Sequence, residues 1–469
     1  MAPAAVEASG QQPPVRVVSR RLVKASDPSI QPHTAAVSNI DLYNGGTGQF
    51  RIACLYPDEL PKAGRSFADV VAAFESGLPS LLNNYYPLCG RIAADPSSGL
   101  PELHCHNQGA DLVVAEVDAA MGSLDFGEAE TLKKLALPFP DDVGLSVQLL
   151  SFACGRFAVM WGINHLLGDG SAITQLIRKW SELSRSGTIA EAGAPSHDRS
   201  VFRPRDRPSY GARVAELFAT FDESRMVNVL TAHDSFVERL YYVEAGDLDR
   251  LREAATASGK GGRRPSRVQA LSAYLWKALA GVVAASRVPE ERCRLAWWVD
   301  ARQRLAAPEL AAVMPNYFGN ATTYTAADAT VEEVRRKPLA DVAAMVREAI
   351  TAIDYDEYVQ EISDWVEEHK EEIFVESPLL GLGAPTLSQT VFASFPLDTD
   401  IGFGQAALAM PVFRYTRLSS GFMAISARPA GGDGSWFVSA CVWPRLAAAL
   451  ESDEQHIFKP LTADFLGLV

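Results

Sequence analysis

Residues 157–163 (FAVMWGI) form an apolar run that starts after the turn residues Cys154, Gly155 and Arg156. They lead through Asn164-His-Leu-Leu-Gly-Asp-Gly170 into a segment with Ile173, Leu176, Ile177, Trp180 and Leu183 at helical spacing. The run reads as a buried strand and the spacing as an amphipathic helix. The chain must therefore pass from strand to helix across one short loop, and that loop carries His165 and Asp169. Side chains held at the rim of rigid elements can be aimed into a cleft. A neutral imidazole there can take a proton from a hydroxyl or amine, because its ordinary pKa lies near working pH. Alone, His-x-x-x-Asp-Gly is short enough to occur in many chains, and a loop histidine beside a helix-capping aspartate is its plainer reading.

The rest of the chain sets the frame for that loop. Residues 145–153 and 157–163 flank the turn as an antiparallel hairpin. Further strands are expected at 15–22, 236–243 and 294–299, with helices from 67 to about 85 and from Ser266 onward, where Pro265 suits a helix entry. The stretch 186–210, rich in Gly, Pro, Ser and Arg, reads as a long surface connection. The acidic stretch 363–372 reads as a solvated helix face. This mixture of hairpins and helices predicts two α/β layers of similar size. Residues 1–190 form the first unit, 191–225 a crossover loop and 226–469 the second unit.

Composition removes several functions. A net charge of −14 over 469 residues argues against nucleic acid or an anionic membrane surface as partner. No apolar run approaches the ~18 residues of a membrane span, and the first 21 residues lack a signal-type apolar core, so a cytoplasmic protein is expected. The six cysteines are scattered without paired spacing and fit reduced thiols. His104-Cys105-His106 places two histidines on one side of a strand, but no second ligand pair lies nearby, and no metal site is expected.

Several landmarks fall in one order: Tyr85-Tyr-Pro-Leu-Cys-Gly-Arg91, His165 to Gly170, Ser266 to Trp276, Asp300-Ala-Arg302, Asn316-Tyr-Phe-Gly-Asn320 and Asp400-Ile-Gly-Phe-Gly404. The set resembles the plant BAHD acyltransferases, whose hallmarks are HxxxDG near the middle, a YFGN segment, and DFGWG near the C-terminus. The resemblance implies an α/β fold of two chloramphenicol-acetyltransferase-like domains with mixed sheets, joined by a long crossover loop. It also implies a monomer that moves an acyl group from acyl-CoA, a co-substrate rather than a tightly bound cofactor, to a small alcohol or amine.

By that resemblance His165 is the general base, acting without an acyl-enzyme, and no G-x-S-x-G surrounds a serine. Asp169 is expected to pair with Arg302, while Gly168 and Gly170 permit a tight turn. Asp400, Gly402 and Gly404 would support the fold near the donor channel. Thr390 and Asn320 are candidates to contact the acyl oxygen or oxyanion. Coenzyme A is polyanionic, so a local basic cluster is needed. Lys260, Arg263, Arg264, Ser266 and Arg267 at a helix entry are the candidates, weighed evenly against a solvated basic loop. Two departures stand out. Ile401 and Phe403 replace Phe and Trp of DFGWG. Phe392 stands where relatives carry a tryptophan whose indole N–H can serve the oxyanion, and phenylalanine has no donor. The altered 390–404 region keeps a second class open, a non-catalytic partner in lipid elongation or metabolic complexes.

Overall fold

The computed structural model describes residues 15–45, 48–190, 193–222, 224, 226, 236–256, 264–286, 290–413 and 419–469. The first half supplies β1 (Val15–Val23), β2 (Gln49–Tyr56), β3 (Ala110–Val117), β4 (Leu145–Phe152) and β5 (Phe157–Asn164). The second half supplies β6 (Val237–Val243), β7 (Arg292–Asp300), β8 (Thr322–Thr330), β9 (Thr386–Val391), β10 (Leu408–Val412), β11 (Gly421–Ala427), β12 (Trp436–Val442) and the short β13 (Lys459–Pro460). The helices that matter for the site are α1 (Asn39–Gly45), α2 (Phe67–Asn84), α3 (Gly170–Ser186), α4 (Arg267–Ala284) and α5 (Tyr355–His369).

Two large mixed sheets result, ordered β1-β3-β4-β5-β2-β10 and β8-β7-β9-β11-β12-β6-β13. The expected hairpin is β4–β5, paired antiparallel from Leu145↔Ile163 to Ser151↔Phe157. Parallel pairing enters at β3–β4, β7–β9 and β9–β11. Every residue of β5 is buried, which explains why it reads as a continuous apolar run rather than an alternating one.

The helix α3 forms for local reasons that the sequence displays. Asp169 caps its start, Gly187 closes its end with φ 74°, and its apolar stripe packs into the first sheet. Trp180 lies 4.5 Å from Phe74 of α2 and 6.3 Å from Trp161 of β5, ring centroid to ring centroid. Gly77 of α2 leaves room for that indole, since a β-carbon there would stand 2.9 Å from it. Likewise α4 begins with a reciprocal Ser266–Gln269 capping box.

The division at 190 and 226 is only approximate. Strand β10 belongs by sequence to the second half, yet it pairs antiparallel with β2 in the first sheet, from Leu408↔Leu55 to Val412↔Arg51. Conversely Ile40 and Tyr43 of α1, near the N-terminus, pack into the apolar core of the second half. Each half lends the other an element.

The acidic stretch is also not the solvated face expected of it. Asp364 in α5 is fully buried. It accepts from Arg205 Nη1 at 3.0 Å and from the N–H groups of Arg205 (2.8 Å) and Ser209 (3.0 Å). The connection is thus stitched to α5 at Arg205 and Ser209 by a buried carboxylate. Among the described residues no helix is long and apolar enough to cross a membrane, and no group of three or more His, Cys, Asp or Glu could hold a metal ion.

Candidate active site

Strand β5 ends at Asn164, whose side-chain oxygen accepts from Leu166 N–H at 3.0 Å and starts a single 3-10 turn, His165–Leu167. The His165 N–H donates to the Gly48 carbonyl at 2.7 Å. These bonds fix the backbone under the imidazole. The ring lies 4.8 Å from the Phe50 ring, half-buried between the two halves. Burial lowers its pKa below 6.5 and outweighs the opposing pull of Asp169. The imidazole is therefore uncharged at neutral pH.

Asp169 has two jobs, one per oxygen. Oδ1 accepts from the N–H groups of Ser171 and Ala172, both at 3.1 Å, and caps α3. Oδ2 accepts from Arg302 Nη1, Ala321 N–H and the Thr322 hydroxyl, each at 2.9 Å. Burial alone would raise this carboxyl, but Arg302 and the other donors prevail and hold it below its ordinary value. Arg302 is equally committed, to Asp300 Oδ1 at 2.9 Å and the Gly319 carbonyl at 2.7 Å. Asp169 thus joins the histidine loop to the second sheet.

A second buried ion pair runs alongside, and the sequence offered no signal for it. Asp41 of α1 accepts from Arg199 Nη1 at 3.3 Å, and Arg199 Nη2 donates to the Leu167 carbonyl at 2.9 Å. Asp41 Oδ1 also accepts from Asn320, from N–H at 3.1 Å and from Nδ2 at 2.8 Å. Asn320 has no exposed surface, and its Nδ2 also donates to the His165 carbonyl at 2.8 Å. Both amide hydrogens are spent, so Asn320 has no donor left for an acyl oxygen.

The two glycines beside Asp169 serve space rather than a tight turn. Gly168 has an extended φ of 176°, and a β-carbon on it would stand 2.8 Å from Ala172. A β-carbon on Gly170 would meet the Phe392 ring at 2.6 Å. Phe392 therefore lies directly over the start of α3. Two residues earlier, Thr390 is half-buried at the end of β9, in register with Trp298 of β7 and Ala424 of β11. Its hydroxyl has no hydrogen-bond partner among the described residues. A cavity of ≈ 50 Å³ opens beside Phe392, lined by Ile52, Thr174, Leu397, Met410 and Ser426. The Ser426 hydroxyl is buried there without a partner among the described residues.

The Asp400–Gly404 loop stands apart from the histidine. Asp400 Oδ1 accepts from Gly402 N–H at 2.9 Å, and its carbonyl accepts from Arg185 Nη1 at 2.7 Å. Arg185 sits at the far end of α3, roughly 24 Å from Asp169 at about 1.5 Å per residue. Gly402 and Gly404 have φ of 85° and 92°, a conformation that glycine adopts without strain. Phe403 keeps the bulk of the tryptophan it replaces, with the Arg65 guanidinium 4.8 Å above its ring.

Of the basic cluster, Lys260 and Arg263 lie outside the described residues. Arg264 is exposed. Arg267 is held by Asp249 at 2.8 and 3.1 Å, and the Ser266 oxygen accepts from Gln269 N–H at 3.1 Å. The last two are committed to the helix and its neighbour, which leaves Arg264 as the described residue of the set with a free charge.

Two mixed sheets thus meet at the histidine loop, tied together by a buried aspartate–arginine pair. The model of the Transferase family matches residues 13–456, and the chain belongs to that family, the BAHD acyltransferases. It is 27% identical over 421 residues to putrescine hydroxycinnamoyltransferase 3 of Oryza sativa subsp. japonica, covering 85% of this chain and 90% of that protein. It is 26% identical over 443 residues to a hydroxycinnamoyltransferase of Narcissus pseudonarcissus, covering 90% and 93%. Among solved structures, vinorine synthase superposes with a TM-score of 0.70 at 19% identity over 96% of this chain and 100% of that one. The F. graminearum TRI101 complex with coenzyme A and T-2 mycotoxin gives 0.72 at 17% identity over 91% and 99%.

Asp169→Asn should leave Arg302 without its principal partner and cost ~3–5 kcal/mol in urea unfolding at neutral pH. Because the carboxyl is held below its ordinary value of 3.8, its contribution is complete above that value and is lost as pH falls through the lowered one. The stability gap between wild type and variant should stay constant from about pH 5 to about pH 8 and close only in stronger acid.

Proposed function

We propose that the protein transfers an acyl group from a coenzyme A thioester to the hydroxyl or amine of a small metabolite, with His165 as general base. The observation that carries this reading is a half-buried imidazole, its pKa lowered by burial, on a loop clamped by Asp169–Arg302 between the two halves. His165 takes the proton as the acceptor oxygen or nitrogen attacks the thioester carbonyl carbon. The tetrahedral intermediate collapses, the C–S bond breaks, and the imidazolium returns its proton to the departing thiolate. The products are an ester or amide and free coenzyme A. The relatives' names, hydroxycinnamoyltransferases among them, and the complex of TRI101 with coenzyme A support the donor class.

Two surfaces support finer assignments. Thr390, two residues before the Phe392 that overlies Gly170, replaces the lost indole N–H as donor to the oxyanion through its unpartnered hydroxyl. A run of rings extends from the histidine: Phe50 stacks at 6.2 Å on Phe413, which lies 5.3 Å from Phe422, itself 5.5 Å from Trp298. Aromatic rings packed this close to the histidine favour a planar aromatic acyl group, in line with the names of the relatives, an omega-hydroxypalmitate O-feruloyl transferase and a hydroxycinnamoyltransferase among them.

Release of free thiol from acyl-CoA, in the presence of mixed phenols and amines, tests the reaction. His165→Ala should lower kcat by about 10²–10⁴-fold while the protein stays folded; undiminished turnover would remove His165 as base. In the wild type, kcat/KM should be flat around neutral pH and decline only below pH 6.5, where the ring becomes charged. Thr390→Val should reduce kcat roughly 10²-fold with KM unchanged; a change in KM alone would assign it to binding. In a thermal-shift panel, hydroxycinnamoyl-CoA thioesters should raise Tm more than acetyl-CoA at equal concentration, and Trp298→Ala should abolish that difference.

A further inference from the structure

Six acids are buried among the described residues: Asp41, Asp111, Asp169, Asp247, Asp364 and Glu376. Five of them meet an arginine or lysine: Arg199, Arg20, Arg302, Lys459 and Arg205 in turn. Glu376 is the exception. A carboxylate taken out of water without a cation is costly, and acids are rarely buried unless paired.

The groups that touch Glu376 are neutral donors. Its Oε1 accepts from the Tyr43 hydroxyl at 2.7 Å and from Trp298 Nε1–H at 2.9 Å. Its Oε2 has no hydrogen-bond partner among the described residues, and the residue keeps 6% of its surface exposed. Burial raises the carboxyl above its ordinary pKa, and the two donors offset this only in part. One oxygen is engaged, and the other is left for a group from outside the chain.

Both donors stand close to the histidine loop. Trp298 lies two residues before Asp300 on β7, about 7 Å along the strand, and Asp300 holds Arg302, the partner of Asp169. Tyr43 lies on α1 two residues before Gly45, where a β-carbon would stand 2.8 Å from the Leu166 side chain. Trp298 is in register with Thr390, and His165, Trp298 and Thr390 are all half-buried. Solvent therefore reaches each of them. The neighbours also select the kind of cation. A metal ion would need several oxygen ligands, and no group of three or more His, Cys, Asp or Glu that could hold one occurs among the described residues. An organic ammonium or guanidinium needs one carboxylate and aromatic rings. Tyr43 and Trp298 supply such rings, with Tyr324 5.1 Å from Trp298.

We propose that Glu376, with Trp298 beside it, binds the cationic end of an acceptor that carries two basic nitrogens, an aliphatic diamine or an amino-guanidine. The other nitrogen, uncharged, attacks the thioester at His165. The N–C bond forms, the C–S bond breaks, and the nitrogen's proton passes through His165 to the departing thiolate. This deepens the acyl-transfer reading and rests on it for the attack, though not for the binding of the cation.

Calorimetric titration of the full-length protein with aliphatic α,ω-diamines of increasing length, without acyl donor, reads the cation site apart from turnover. The wild type should bind the best diamine roughly 10–100-fold more tightly than the monoamine of equal carbon number. Glu376→Gln should erase that margin. Equal or undetectable binding of the two amines by the wild type would overturn the proposal, whether or not acyl transfer occurs. In the thiol-release assay Glu376→Gln should raise KM for the diamine by a similar factor, with a much smaller change in kcat. An equal loss with a neutral alcohol acceptor of the same length would show that Glu376 only props Trp298, and would also overturn it. If Glu376→Gln fails to fold, the wild-type comparison of diamine and monoamine decides alone. If every acceptor proves inert while the diamine margin stands, the acyl-transfer reading falls and the cation site remains.

Discussion

The Asp169–Arg302 pair is the contact on which the rest of the site depends. It spans 133 positions of sequence at 2.9 Å, and both partners lie out of solvent. Two ions so deeply placed are tolerable only because every oxygen and nearly every N–H between them is hydrogen-bonded. The same carboxylate that meets the arginine also caps α3. Helix start, histidine turn and second sheet are thereby set relative to one another by one side chain. Loss of activity on mutating Asp169 would thus report geometry and not a chemical role.

The parallel Asp41–Arg199 pair does for the other flank of the histidine turn what Asp169–Arg302 does for the first. Between them they surround the backbone of residues 165–169 with donors and acceptors of fixed position. A general base needs its lone pair aimed to within a fraction of an ångström of the incoming proton. On the proposed reading of His165 as base, that aim comes from buried polar groups around the loop.

Much of this was legible in the sequence because the elements around His165 are built locally. The run of β5, the cap at Asp169 and the 3.6-residue spacing of α3 each carry their own signal within a few residues. Arg302 was reachable only through the family resemblance, since nothing in its neighbours announces a partner so distant in sequence. Asp41 and Arg199 were not reachable: one sits in a seven-residue helix and the other in a Pro- and Ser-rich connection. Their meaning comes from three-dimensional neighbours. Asn320 was noticed but given the wrong task, because a motif identifies a residue without saying which of its atoms are already spent. The acidic stretch around Asp364 misled for a related reason, since composition cannot distinguish a solvated carboxylate from one paired with Arg205.

The exchange of β10 and α1 has a consequence for how molecules reach the centre. A jaw-like opening would have to strip β10 from β2 along five paired residues and pull Ile40 and Tyr43 from the opposite core. Neither is a thermal fluctuation of ordinary size. The two halves are therefore held at a fixed spacing around the histidine loop, whose surroundings set what can approach it. Evolution or engineering of such a protein can then retune what passes by trading the side chains on the walls, without having to preserve a hinge.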